Sequence, residues 1–233
     1  MEYLDTEFLS HIMNSGLDDS ADILGQDVVD IIKEILNQPI TEEELTYYIQ
    51  RLKNRKTPGH DGISCEFLKH AEEILVPPLL DLYNFILKSG DFPSQWSQGI
   101  INPLYKNGDK TKPENYRKIT LLVTLGKLFE SILNGRLVFK NSVFSQDDEF
   151  QAGFRGMSRT VDNAYILYSL IQKQKFLGKP LYVCFVDFTK AFDFVNRDAL
   201  FYKLKQRGVC GEYLDVIKNM LKKATTKVRW RAI

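Results

Sequence analysis

Cysteine and histidine are scarce in this chain of 233 residues: Cys65, Cys184 and Cys210 lie far apart with no Cys-x-x-Cys step, and His11, His60 and His70 are equally scattered. That spacing excludes a disulfide framework and argues against a zinc site, leaving reduced thiols in an intracellular protein as the expectation. Long apolar runs are also missing, none approaching the roughly 18 residues a membrane span needs. The N-terminus, MEYLDTEFLSHIMNSGLDDS, is acidic and has no apolar core, so it does not read as a signal peptide. No internal repeat or low-complexity tract stands out. What is present is a 44% hydrophobic composition, enough to build a core in one large domain or two small ones.

A net charge of +1 hides an asymmetry. Residues 1–44 hold twelve Asp/Glu and one Lys, whereas the other 189 residues hold 30 Lys/Arg and 18 Asp/Glu. The basic body suits a polyanionic partner, and an ordinary lysine-rich surface accounts for it equally well.

Periodicity predicts helices at 26–37, after Thr41, at 64–75, 78–89, 124–140, 160–176, near 198–207 and at 211–223. Thr41 with Glu44 three residues on has the form of a capping box. Pro77-Pro78 reads as a helix break and Gly90 as a helix stop. Short strands are expected at 99–105, within ITLLV, at 181–187 and in TTKVRW. TPGHDGIS, residues 57–64, reads as a loop, and KNGDKTKPENYRK, residues 106–118, as a polar basic one.

The stretch LYVCFVDFTKAFDFVN, residues 181–196, raises the chemical question. A continuous apolar run suits a strand covered on both faces, and Asp187 at its end would emerge at the core's edge. Its carboxylate either caps the following turn or holds a hard cation such as Mg²⁺. Asp193, past a turn, reads as a structural brace of the next helix.

VDFTKAFDFV resembles the first palm motif of reverse transcriptases from non-LTR (LINE-type) retrotransposons. NRKTPGHDGISCEFLK, WSQGIINPLYKNGDKTKPENYRKITLL, GKLFESILNGRL and FQAGFR followed by Thr160-Val-Asp162 resemble further motifs of that family, in the same order, over roughly residues 38–230. The resemblance implies a right-hand polymerase working on an RNA template, an RNA–DNA hybrid and dNTPs, with two Mg²⁺ ions at the catalytic centre. It implies Asp187 as catalytic metal ligand with the Phe188 carbonyl beside the same ion. Phe192 matches the aromatic that packs under the nucleotide sugar; plain core packing is its other reading. Lys106 and Arg117 match basic residues that grip the triphosphate, and a solvated surface is theirs. Arg155 matches the template side of the nucleotide pocket, or stacks on a nearby helix. Gly59, Asp61 and Gly62 belong to a loop with a structural role.

The expected fold class is α+β, mostly helical with a few strands: polymerase fingers and an incomplete palm. The expected divisions are an acidic lead-in over 1–37, fingers with the start of the palm over 38–180, and a partial palm over 181–233. Lys118, His60 and the GMS before Arg159-Thr160 depart from the family pattern without removing a catalytic group. The family's Asp-Asp hairpin has no counterpart in the sequence, so the expectation is an RNA-directed DNA polymerase fragment that binds Mg²⁺ weakly or not at all and is inactive alone. The alternatives are a non-catalytic nucleic-acid-binding module or a degenerate retroelement remnant.

Overall fold

Ile32 and Leu36 stand one helical turn apart in QDVVDIIKEILN, and both are fully buried. They seat the first helix, α1 (Gln26–Asn37), in the core. The computed structural model describes residues 25–144, 151–154, 159–188 and 191–229. The chain divides into two compact units, Met1–Leu137 with Asp198–Ile233, and Val138–Arg197.

In the first unit, α2 (Glu42–Arg51) begins where Thr41 accepts a hydrogen bond from the Glu44 amide at 3.2 Å. The reciprocal arm of a capping box is not made, because the Glu44 carboxylate turns to Arg136. Helix α3 (Cys65–His70) starts at Ser64, whose hydroxyl accepts from the Phe67 amide at 3.2 Å. Helix α4 (Glu72–Ser89) then runs straight through Pro77 and Pro78 to Gly90, which adopts φ +68°. The expected break therefore moves to Ala71. Both prolines are exposed, as are Glu73 and Ile74, whose carbonyls lose their helical partners and stay within reach of water.

Strand β1 (Gln98–Tyr105) pairs antiparallel with β2 (Tyr116–Leu121), from Ile100 opposite Leu121 to Tyr105 opposite Tyr116. A 3₁₀ turn, Pro113–Asn115, leads into β2. Helix α5 (Thr124–Phe144) follows; beyond α6 (Thr160–Phe176), α7 (Arg197–Gln206) and α8 (Glu212–Lys223), β3 (Thr225–Val228) joins β1 in parallel. The sheet order is β2-β1-β3. The class is mixed α and β, dominated by helices.

The core of this unit is cross-tied by polar bonds. Tyr83, Phe92, Trp96 and Phe129 pack ring against ring at 5.1–6.1 Å. Burial pushes the Tyr83 and Tyr213 phenols well above their ordinary range, so both stay protonated as donors to the Leu125 and Leu133 carbonyls. Arg136 is 9% exposed and grips Glu44 through two nitrogens while donating to the carbonyls of Leu36, Gln38 and Pro39. Asn37 bridges to α8, donating to Cys210 and accepting from the Tyr213 amide.

The second unit differs. Residues 181–188 form no strand, and they are exposed, Tyr182 at 90% and Phe185 at 81%. This corrects the expected strand at 181–187. An apolar run becomes a buried strand only when a neighbouring strand takes its amides and other elements cover its faces. None of the described residues does so here.

Arg136→Ala should lower the stability of the first unit by about 3 kcal/mol, because it strands the Glu44 carboxylate and three carbonyls. Arg136→Lys should recover less than half, since an ammonium lacks the planar fork. Urea unfolding at neutral pH measures both.

Candidate functional site

Leu104 lies opposite Arg117, and the ladder continues one step past β1, where the Lys106 amide donates to the Asn115 carbonyl at 2.9 Å. Side chains alternate along a strand, and directly paired residues share a face. Lys106 and Arg117 therefore project from the same face of the β1–β2 hairpin, as diagonal neighbours, and both are exposed.

The connecting loop is built rather than loose. The Tyr105 hydroxyl donates to the Gly108 carbonyl at 2.5 Å, and the Tyr116 hydroxyl donates to the Lys110 carbonyl at 2.9 Å. Asn115 donates its side-chain amide to the Asp109 carbonyl at 2.8 Å. Gly108 adopts φ +89°, and a Cβ there would press on Asn115 at 2.8 Å. The Thr111 amide and hydroxyl hold the Asp109 carboxylate below its ordinary pKa and turn it toward the loop itself. Asn115 was missed as an organiser of this loop, although it opens the Asn-Tyr-Arg step.

The Pro58–Gly62 loop is pinned against the Leu122–Val123 link that joins β2 to α5. Gly59 sits so close to the backbone that a Cβ would approach Val123 Cα at 2.6 Å. Gly62 adopts φ +72°, and Asp61 accepts from the Ile63 amide at 3.2 Å. Thr124, at the head of α5, donates its hydroxyl to the Ile63 carbonyl at 2.5 Å.

The remaining expected residues belong to the second unit. Asp187 is exposed, and residues 189–190, which its carboxylate would cap, lie outside the described residues. Phe188 is 62% exposed and Phe192 81%. Phe192 meets Phe154 edge to face at 6.3 Å, which joins the Ala-Phe-Asp turn to the Gly-Phe of the preceding motif. Plain core packing does not describe Phe192. Asp193 lies in the turn 191–194, ahead of α7 and exposed. Arg155 lies outside the described residues.

Mg²⁺ prefers carboxylate and carbonyl oxygens, which Asp187 and the main chain of Phe188 can offer. Two divalent ions about 3.5–4 Å apart need more negative charge than one carboxylate. Among the described residues no three His, Cys, Asp or Glu side chains gather as a metal site would require. The described donors do not by themselves fit a two-ion centre. No helix among the described residues is long and apolar enough to cross a membrane.

Comparison with known proteins assigns the class of this chain. The reverse transcriptase (RNA-dependent DNA polymerase) family matches residues 105–232, and the chain belongs to that family. Its relatives come from non-LTR mobile elements. It is 32% identical over 198 residues to the probable RNA-directed DNA polymerase from transposon BS of Drosophila melanogaster, covering 83% of this chain and 21% of that protein. It is 30% identical over 201 residues to the corresponding protein from transposon X-element of the same species, covering 84% and 22%. The RNA-directed DNA polymerase from mobile element jockey of Drosophila funebris is 28% identical over 172 residues, 72% of this chain and 18% of that protein. The chain thus spans about a fifth of the length of these relatives.

Gly59→Ala should cost about 1–3 kcal/mol, because its obstacle is backbone that cannot rotate away. Gly62→Ala, with open space around it, should cost about 1 kcal/mol from φ alone. Thermal melts of the two variants should rank them in that order.

Proposed function

We propose that this chain is the fingers and an incomplete palm of an RNA-directed DNA polymerase, with the β1–β2 hairpin as its grip on the incoming dNTP. The observation that carries this reading is the antiparallel register, Leu104 opposite Arg117 with Lys106 two residues on. In that register a point charge and a planar fork are diagonal neighbours on one face of a hairpin whose loop is held by its own hydrogen bonds. Such a pair suits a triphosphate: the guanidinium makes two parallel bonds to phosphate oxygens and the ammonium neutralises a neighbouring one. A prearranged loop loses less freedom on binding than a mobile one.

In the same reading Asp187 would be the catalytic carboxylate, and the Phe188 carbonyl would offer a second oxygen beside it. Phe192 is the ring beneath the sugar, where a rigid aromatic excludes a 2′-hydroxyl by volume. Its exposure and its contact with Phe154 support a surface role. Arg155 borders the template, Asp193 braces the next helix, and Gly59, Asp61 and Gly62 shape the loop that packs against the Leu122–Val123 link.

One carboxylate at the metal position leaves the chemistry short of negative charge, so the chain alone binds nucleotide without joining it. Incubated with primed RNA template, dNTPs and Mg²⁺, it should give no extension above background; synthesis that disappears in Asp187→Ala would overturn this.

Nucleotide binding is tested separately by equilibrium titration of dNTP into the chain. Lys106→Ala and Arg117→Ala should each weaken binding roughly tenfold or more, as expected for a lost charge-assisted bond. Arg117→Lys should restore only part. Unchanged affinity in both alanine variants would remove the hairpin from the site.

A further inference from the structure

The register of the third strand extends the basic face well past the hairpin. Ile100 of β1 is flanked by Leu121 on β2 and by Lys227 on β3. The Arg229 amide donates to the Ile101 carbonyl at 2.9 Å, which carries the parallel pairing one step further and sets Arg229 alongside Asn102. Because residues aligned across a sheet share a face, Lys227 and Arg229 lie on the face that bears Lys106 and Arg117. All four are exposed. Lys118, opposite Pro103, is on the other face.

The three paired segments, 98–106, 115–121 and 225–229, contain no aspartate or glutamate. The loop joining β1 to β2 carries two carboxylates, Asp109, which Thr111 holds, and Glu114, exposed next to Asn115 and outside the paired segments. The four cations thus form a line without carboxylates among them. From the level of Lys227, beside Ile100, to Lys106 is six residues along β1, roughly 20 Å at about 3.3 Å per residue. Crossing from β2 to β3 adds two strand spacings of about 4.8 Å each. A triphosphate can occupy one end of such a line and cannot span it. A polyanion can. Exposed Leu104 and Ile119 lie on the same face, between the cations, as flat apolar ground for a sugar or base.

We infer that the β2-β1-β3 face is a track for a single-stranded RNA backbone, with Lys227 and Arg229 as phosphate contacts leading toward Lys106 and Arg117. The choice of RNA rests on the polymerase reading above; the polyanion track rests on the strand register. Contacts of this kind set the position of the strand and do not read its sequence.

Fluorescence anisotropy of a labelled single-stranded RNA oligomer, titrated with the full chain over a range of salt, tests the track. Lys227→Ala with Arg229→Ala should flatten the log–log salt slope by about 1.4, at about 0.7 per lost single-strand phosphate contact. Affinity should fall on the order of tenfold at 0.1 M salt, to a similar extent for oligomers of different sequence. The charge-reversed pair, Lys227→Glu with Arg229→Glu, should lose more, and Lys118→Ala should change neither quantity. dNTP affinity should stay the same in all these variants, so failure of the track and failure of the nucleotide grip give different results. An unchanged slope in both paired variants, with melting temperatures intact, would overturn the track. A DNA duplex bound more tightly than the RNA strand, and weakened by the same substitutions, would overturn single-stranded RNA as its occupant.

Discussion

The guanidinium of Arg136 is the joint on which the first unit turns. Five bonds run from one side chain on α5 to the end of α1, to the link at Gln38 and Pro39, and to Glu44 in the first turn of α2. A helix end leaves carbonyls without partners, and burying them beside an apolar core would be costly. Arg136 satisfies them from across the core while Glu44 neutralises its charge. Ile32, Leu36, Leu45 and Ile49 can then be fully buried on either side of that link. Asn84 adds a second clasp, its side chain donating to and accepting from the backbone of Ile40.

From that frame the functional geometry follows by short steps. Helix α5 begins at Thr124, whose hydroxyl holds the Pro58–Gly62 loop, and β2 leads directly into α5. The hairpin that carries Lys106 and Arg117 thus grows out of the packed part of the unit. Its tip is held by tyrosine hydroxyls and by Asn115, which fix the backbone from which Lys106 and Arg117 project. The second unit is of another kind. Tyr182, Phe185, Phe192 and Phe194 are all largely exposed, and the Phe154–Phe192 pair is a local contact.

Much of this was legible in the residues. The 3.6-residue spacing marked α1, α5, α6 and α8 almost to their ends, and Thr41, Gly90 and the Pro-Gly and Asp-Gly steps marked the boundaries. Motif order identified the family before any coordinate. Two local rules misled. Pro77-Pro78 reads as a break, yet solvent exposure makes the lost bonds cheap enough for α4 to continue. LYVCFV reads as a strand, yet strand formation depends on a partner that periodicity cannot report. Arg136 could have been noticed, since it falls within the apolar stripe of α5, four residues after Ile132 and three after Leu133. An arginine on a buried stripe signals a waiting carboxylate.

By itself the sequence determined the helices, the family and the residue types at each site, because local propensity and short motifs are written within a few residues of each other. Only the tertiary structure decided that Lys106, Arg117, Lys227 and Arg229 share a face. That outcome depends on the hairpin register of β1 with β2 and on the register of β1 with β3, more than a hundred residues further along the chain. A shift of one residue would have sent half of them to the opposite side.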